Sequence, residues 1–320
     1  MGYKQSNPIR NFKFSIKNIK FIKEEEMKKP IHNLFGLKNG RLLANSNNEI
    51  LLLNQENFEI LFTLRLPHQP QEILEIKHDK ILFALFNEIL IYEIFLNDLY
   101  FIECFSSYPK LYGDLISIIE LKYCHYNLIS YTEDSFILFW KKYKENNYSI
   151  QTIISIEENN SNIESQNMIE LKNKKEIVFQ NNTSLYFFNL ITFKKKEIKN
   201  ITGGRHCIVQ ANKNILLLAG NLYIYLINLN KYELIKGIRD IGVNGNIYKL
   251  FDKTFIIKKY YGEYKRIKLN QDNIILIEKD IEIFSDIEPS SYVFMENDKL
   301  LFSSYGNIVI FDYSNKKSRK

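Results

Sequence analysis

Two dipeptides set metal-ligand side chains next to each other, Cys124-His125 and His206-Cys207. A zinc or copper site needs thiolates and imidazoles that converge on one point. Neighbours along a strand project to opposite faces, so neither pair chelates one ion. The remaining histidines, His32, His68 and His78, stand in separate stretches, and no metal site is expected. Catalytic patterns are equally sparse. GxSxG, HExxH, GxxxxGK[ST] and GxGxxG are all absent, and the aspartates never take the DxDxDG spacing of a calcium loop. No catalytic residue and no cofactor is expected, although residues of separate repeats can converge without leaving a linear motif.

Lysine is the other residue type whose spacing could do chemistry. It clusters as Lys141, Lys142 and Lys144, as Lys172, Lys174 and Lys175, as Lys194, Lys195 and Lys196, and in the tail with Lys316, Lys317, Arg319 and Lys320. The net charge is only +6, so these runs are local concentrations of charge. Grouped ammonium ions hold anions, with an attraction that weakens as salt rises. RNA, anionic lipid and an acidic protein are the partner classes; solvated turns are the plainer reading. The clusters hold lysine far more than arginine and no aromatic motif of an RNA-binding module, which weighs against nucleic acid.

The elements that must position these lysines repeat. Seven apolar hairpins cover 41–45 with 49–53, 80–86 with 89–94, 127–132 with 136–140, 176–180 with 185–190, 214–219 with 222–228, 253–259 with 264–269, and 299–304 with 308–313. The last apolar residues of their second strands, Leu53, Tyr92, Trp140, Phe188, Ile227, Leu269 and Phe311, stand 39, 48, 48, 39, 42 and 42 residues apart. Ile, Leu, Phe and Tyr build the strands; Asn, Asp, Ser, Thr and Gly build the turns. A further apolar strand precedes each hairpin, such as 73–76 or 115–121, and a fourth follows most, such as 58–64 or 150–156.

Four strands repeated at a near-constant period make the unit of a β-propeller. A β-sandwich, or two β domains in tandem, explains the strands but not the period. The expectation is all-β: a single seven-bladed β-propeller of four-stranded blades over residues 1–320. Its blades are 31–64, 71–105, 115–156, 165–199, 206–238, 246–284 and 291–313. The basic tail, 314–320, is too polar to be a fourth strand. The apolar pattern Phe12, Phe14, Ile16, Ile19 and Phe21 is therefore expected to supply it, a closing strand at 12–22 that pairs with the last blade.

On this topology the turns after the first and third strands of each blade share one face, which takes the lysine clusters. The opposite face takes the acids Glu24, Glu25, Glu26, Asp114, Glu133, Asp134, Glu157, Glu158, Glu164, Asp240, Glu263, Asp286 and Glu288. Tyr112, Asp114, Arg205, His206, Tyr261 and Tyr305 are the candidate contacts there.

The third repeat reads Ile129-Ser130-Tyr131-Thr132-Glu133-Asp134-Ser135-Phe136-Ile137-Leu138-Phe139-Trp140. This resembles the WD40-repeat signature. The resemblance implies a structural network in which Asp134 of the turn, Ser130 or Thr132 of the second strand and the Trp140 indole are hydrogen-bonded. The Gly-His expected before the first strand is replaced by Gly113-Asp114, and Gly204-Arg205-His206 before the fifth blade is the nearest trace of it. The dipeptide that is Trp-Asp in the family appears here as Leu53-Asn54, Tyr92-Glu93, Trp140-Lys141, Phe188-Asn189, Ile227-Asn228, Leu269-Asn270 and Phe311-Asp312.

The three cysteines, Cys104, Cys124 and Cys207, are odd in number and lack CxxC spacing, so no disulfide framework is expected. No transmembrane segment is expected, because runs such as 81–86 are cut at Asn87 and Glu88. The N-terminus lacks the order of a secretory signal, which points to the cytoplasm or nucleus. Gly2 and Ser6 fit the loose M-G-x-x-x-[ST] acylation pattern, with the aromatic Tyr3 counting against it. The expected function is a non-catalytic scaffold or adaptor that binds other proteins within a larger complex. Binding of RNA, another nucleic acid or anionic lipid at the lysine-rich face is the alternative, and a propeller enzyme is the third reading.

Overall fold

Runs such as Glu176–Gln180 and Ser184–Asn189 are apolar at consecutive rather than alternate positions, and all but the last of these residues are buried. Such a strand needs cover on both faces, which a sheet cannot supply to itself. The computed structural model describes residues 20–25, 29, 31–37, 40–77, 79–86, 88–106, 115–122, 124–134, 136–142, 148–156, 168–172, 174–180, 184–201, 207–219, 223–239, 243–249, 254–259, 264–269, 275–281, 289–294, 299–304 and 307–312. Among them the fold is all-β, without a helix.

β1 (Lys20–Glu25) comes first in the chain. β2 (Asn33–Gly36), β3 (Leu42–Ser46), β4 (Glu49–Leu53) and β5 (Ile60–Arg65) form an antiparallel sheet in that order. The same chain-order sheet recurs as β6 (Glu72–Lys77), β7 (Lys80–Ala84), β8 (Glu88–Phe95) and β9 (Asp98–Ser106). It recurs again as β10 (Leu115–Glu120), β11 (Leu128–Thr132), β12 (Phe136–Lys142) and β13 (Tyr148–Ser155). β14 (Ile169–Leu171), β15 (Glu176–Gln180), β16 (Ser184–Asn189) and β17 (Lys195–Lys199) make the next. β18 (Cys207–Gln210), β19 (Ile215–Ala219), β20 (Tyr223–Asn228) and β21 (Glu233–Arg239) follow. β22 (Val243–Lys249), β23 (Thr254–Lys259), β24 (Tyr264–Leu269) and β25 (Ile275–Ile281) follow them. The last sheet departs from chain order: β26 (Pro289–Phe294), β27 (Lys299–Ser304) and β28 (Asn307–Asp312) take β1 as their fourth strand, in the order β1-β28-β27-β26.

β1 lies antiparallel to β28, from Lys20 opposite Asp312 to Glu25 opposite Ile308. Within the described residues the pairing strand covers 20–22 of the expected 12–22 and runs on through Glu24 and Glu25. Those two glutamates belong to a strand rather than to a rim loop, a correction to the sequence expectation. Backbone pairing with β28 accepts any non-proline residue, so side-chain polarity set the far end of the strand too early. Phe12, Phe14, Ile16 and Ile19 lie outside the described residues, as do Gly2 and the tail.

The sheets group into two compact units, Tyr3–Cys104 with Ile283–Lys320, and Phe105–Glu282. Within the first, Leu42, Ala44, Leu51 and Leu53 pack against Leu301, Ile308 and Ile310 of one neighbouring sheet. The alternate residues Leu43, Ile50 and Leu52 pack against Ile81, Phe83 and Leu90 of the other. The second unit repeats the device. Ile177, Phe179, Tyr186 and Phe188 face Ile129, Tyr131, Ile137 and Phe139. Val178, Leu185 and Phe187 face Leu216, Leu218 and Tyr225. Leu217, Ala219, Ile224 and Leu226 face Phe255, Ile257 and Ile267. Period-2 alternation therefore distributes each strand between two neighbours.

Three turns after a third strand share one construction, built on the asparagine that follows the strand's last apolar residue. Asn54 Oδ1 accepts the Glu56 N–H at 2.8 Å, Asn189 Oδ1 that of Ile191 at 3.0 Å, and Asn228 Oδ1 that of Asn230 at 2.8 Å. Four residues on, an aromatic residue donates its N–H to the asparagine carbonyl: Phe58, Phe193 and Tyr232, at 3.0, 3.0 and 2.8 Å. Their φ angles are 58°, 55° and 56°, in the left-handed region that bulky residues avoid. Each ring is held by a neighbouring sheet. Phe193 meets Phe139 at 5.6 Å between centroids and Tyr232 meets Phe187 at 5.1 Å, while Phe58 joins the cluster of Val293 and Leu301. The turn acts as a staple between sheets, and packing offsets the backbone strain.

Deleting residues 1–25 removes β1 and bares the β28 edge. The expected outcome is a lower melting temperature and aggregation on size-exclusion chromatography. A truncated chain that stays monomeric with unchanged melting would show that β1 contributes little to the last sheet.

Candidate interaction site

Antiparallel order puts the first and third turns of a sheet at the same end. In the sheet β14–β17 those turns carry the lysines: Lys172, Lys174 and Lys175 follow β14, Lys194 precedes β17, and Lys195 and Lys196 open it. Register confirms the common end, with Leu171 opposite Glu176, Glu176 opposite Asn189, and Phe187 opposite Lys196.

Two of these lysines converge on a residue of the next sheet. The Lys174 ammonium lies 4.7 Å and the Lys196 ammonium 3.8 Å from the centroid of the Tyr232 ring. Both distances are within cation–π range. Lys174 also donates to the Leu229 carbonyl. The phenol donates to Glu176, whose two carboxylate oxygens are each 2.8 Å away. Burial, then the hydrogen bond and charge of Glu176, push the Tyr232 hydroxyl up to about 12. Lys195 sits 4.9 Å over the Tyr186 ring.

Beside this cluster the first strands are latched to one another. Glu170 of β14 accepts the Lys122 N–H at 2.7 Å, and Gln210 Oε1 of β18 accepts the Lys172 N–H at 2.9 Å. Lys249 of β22 donates to the carbonyls of Gln210 and Ala211 at 2.6 and 3.1 Å. Burial, with a smaller contribution from the Lys172 charge, lowers the Lys249 ammonium to about 8.

The nearby acids are engaged elsewhere. Glu176 holds the phenol, Glu197 accepts from Ser184 Oγ at 2.6 Å, and Glu233 pairs with Lys231 at 3.5 Å. Positive charge at this end is therefore offset only in part, and the lysine stems are ordered by rings and carbonyls. Such a surface can hold carboxylates or other anions. Tyr232, Glu176, Gln210 and Lys249 escaped the sequence reading. The recurring Asn-x-x-x-aromatic spacing could have singled out Tyr232, whereas the other three carry no linear signal.

The remaining candidates are dispersed. Lys141 is exposed; Lys142 stands 5.9 Å from the Tyr148 centroid, with its N–H on Asn127 Oδ1 at 2.8 Å. In the third repeat the buried Trp140 indole donates to Ser130 Oγ at 2.9 Å, and Thr132 Oγ1 accepts the Phe136 N–H at 3.3 Å. Asp134 lies exposed in the turn. A histidine-to-turn bond occurs in a different sheet, where His32, just before β2, meets Asn47 Oδ1 at 2.9 Å. Lys144, Tyr112, Asp114, Arg205, His206, Tyr261 and Tyr305 lie outside the described residues, as do the expected rim acids Glu26, Glu157, Glu158, Glu164, Asp240, Glu263, Asp286 and Glu288. Among the described residues no three His, Cys, Asp or Glu side chains gather to hold a metal, and no helix is long and apolar enough to cross a membrane.

Two substitution pairs test this geometry. Ser130→Ala removes the indole's acceptor and is expected to cost about 1–3 kcal/mol in denaturant unfolding, while Asp134→Ala stays within about 0.5 kcal/mol. For Tyr232, the difference in phenolate absorbance between wild type and Tyr232→Phe should show a single ionisation near pH 12, later than an ordinary phenol. Because the folded-state value is raised, the phenol's contribution to stability is complete below its unfolded value of 10.0 and is lost as pH climbs towards about 12. A stability difference between wild type and Tyr232→Phe that does not shrink as pH climbs past 10.0 would contradict the assignment.

No protein-family model matches the sequence, and no curated protein matches it either. Solved structures do. The chain is similar to U3-55K at TM-score 0.67 and 11% identity, over 91% of this chain and 98% of that one. It is similar to a chain of the mitotic checkpoint complex at TM-score 0.70 and 10% identity, over 95% and 98%. It is similar to streptogramin B lyase at TM-score 0.65 and 15% identity, over 92% and 98%. The first two are WD40 propellers and the third is a β-propeller, and the likeness is one of fold, that of a β-propeller.

Proposed function

We propose that the chain is a non-catalytic protein-interaction scaffold. In this reading the seven sheets are blades of one closed ring, with β1 completing the last. An acidic segment of a partner protein docks on the lysine–tyrosine cluster between β14–β17 and β18–β21. The observation that carries the reading is the pair of ammonium groups on the Tyr232 ring, with the carboxylate beneath already committed to the phenol. The pairing of β1 with β28, and similarity to propellers over nine-tenths of the chain, support the ring. One similar chain comes from a complex, which accords with a subunit role.

Carboxylates suit this surface better than nucleotides. Single-strand binders stack bases on open aromatic faces, whereas here lysines lie over the Tyr232 and Tyr186 rings. Lysine ammonium groups also act as point charges, without the planar fork that arginine offers a phosphate.

The test is anisotropy titration of the full chain with a labelled glutamate-rich peptide, beside an RNA oligomer and phosphatidylserine vesicles. Expected are salt-sensitive peptide binding and a loss of at least about 10-fold in affinity in Lys174→Glu/Lys196→Glu, with little change in Lys141→Glu. Tighter binding of RNA or vesicles than of peptide, or equal effects of both substitutions, would sink the reading.

A further inference from the structure

Outer strands of the sheets differ in how they guard their free edge. β17 reads KKEIK and β21 reads ELIKGIR, each with the lysines that discourage edge pairing. β9 reads DLYFIECFS, nine residues without a lysine, arginine, proline or glycine, and it lies at the end of its sheet. The hairpin that leads into it is the most exposed apolar element among the described residues. Phe95 is 63%, Leu96 71%, Tyr100 52% and Phe101 57% accessible.

The exposed rings are ordered by their neighbours. Phe95 and Tyr100 meet edge to face at 6.3 Å, and Phe101 meets Tyr92 at 5.5 Å, which itself meets buried Phe83 at 5.5 Å. The Tyr100 hydroxyl lies 3.4 Å from an Asp98 carboxylate oxygen. At the tip Leu96 holds φ 55°, a left-handed conformation that costs a leucine energy while its side chain points its apolar area at solvent.

We infer that this hairpin and the β9 edge form a two-fold interface with a second copy of the chain. Two β9 edges running antiparallel about an axis beside Ile102 place Glu103 opposite Phe101 and Tyr100 opposite Cys104 of the other copy, so no carboxylates face each other. Four side chains exposed by about half or more, at roughly 200 Å² each, leave roughly 400–500 Å² per copy. Mutual cover buries about 1,000 Å² in all, the lower limit for a specific interface. Edge hydrogen bonds add direction to that area. The acids near the hairpin, Glu93 and Asp98, disfavour an anionic membrane as the occupant.

Sedimentation velocity of the full chain tests this. The expected result is a reversible monomer–dimer equilibrium in the micromolar range. Leu96→Asn, which suits the tip's φ, and Tyr100→Thr/Phe101→Thr, which keeps strand propensity, should each weaken the dimer at least about 10-fold with the melting temperature retained. Ile153→Thr, on outer strand β13, should change nothing. A monomer at all concentrations up to about 100 µM, or a dimer that survives both hairpin variants, would overturn the inference. So would a dimer lost in Lys174→Glu/Lys196→Glu, which would move the contact to the lysine cluster. Peptide binding by the hairpin variants is expected to be intact, so the two surfaces fail or stand separately.

Discussion

The sheets β2–β5, β14–β17 and β18–β21 depend on burying the second and third strands on both faces. Residues such as Leu42, Leu43, Ile177 and Val178 are wholly inaccessible although neighbours in sequence point in opposite directions. One sheet of five-residue strands cannot cover itself, so each is stable only between neighbours. That constraint explains the near-constant repeat, since a sheet must match in size the neighbours it packs between.

The capped turns extend the same logic to the sheet ends. An asparagine side chain fixes the turn, the turn forces an aromatic residue into left-handed backbone, and the ring meets a neighbouring sheet. Local strain is tolerated because packing over-determines it. At Tyr232 this structural device also builds the lysine cluster: a ring brought to the sheet boundary offers its face to ammonium groups from the neighbouring sheet, and Glu176 holds its hydroxyl. Packing and charge presentation are here two consequences of one turn.

The hydrogen bonds of the WD40-like repeat are spread over different sheets. Ser130 and Trp140 meet in the third repeat, whereas a histidine meets a turn asparagine before and after β2–β3. With apolar packing on both faces of central strands such as β4, β15 and β19, single polar links can differ from sheet to sheet. The low sequence identity to propellers of the same fold is consistent with that freedom.

The sequence by itself determined the strands, their grouping into fours and their period, because consecutive apolar residues between turn formers have few other solutions. It also located lysines in the first and third turns of a sheet, since antiparallel order is implied once hairpins are recognised. Tertiary structure decided the rest. The extent of β1 rests on backbone pairing with β28, which leaves no mark on side-chain polarity. Lys174, Lys196 and Tyr232 are distant in sequence and meet because sheets pack side by side. Glu176 opens an apolar strand, and nothing in its flanking residues signals that it will hold a phenol 56 residues away. Linear patterns record what each strand needs from its neighbours; which side chains then meet across a sheet boundary is set only when the sheets dock.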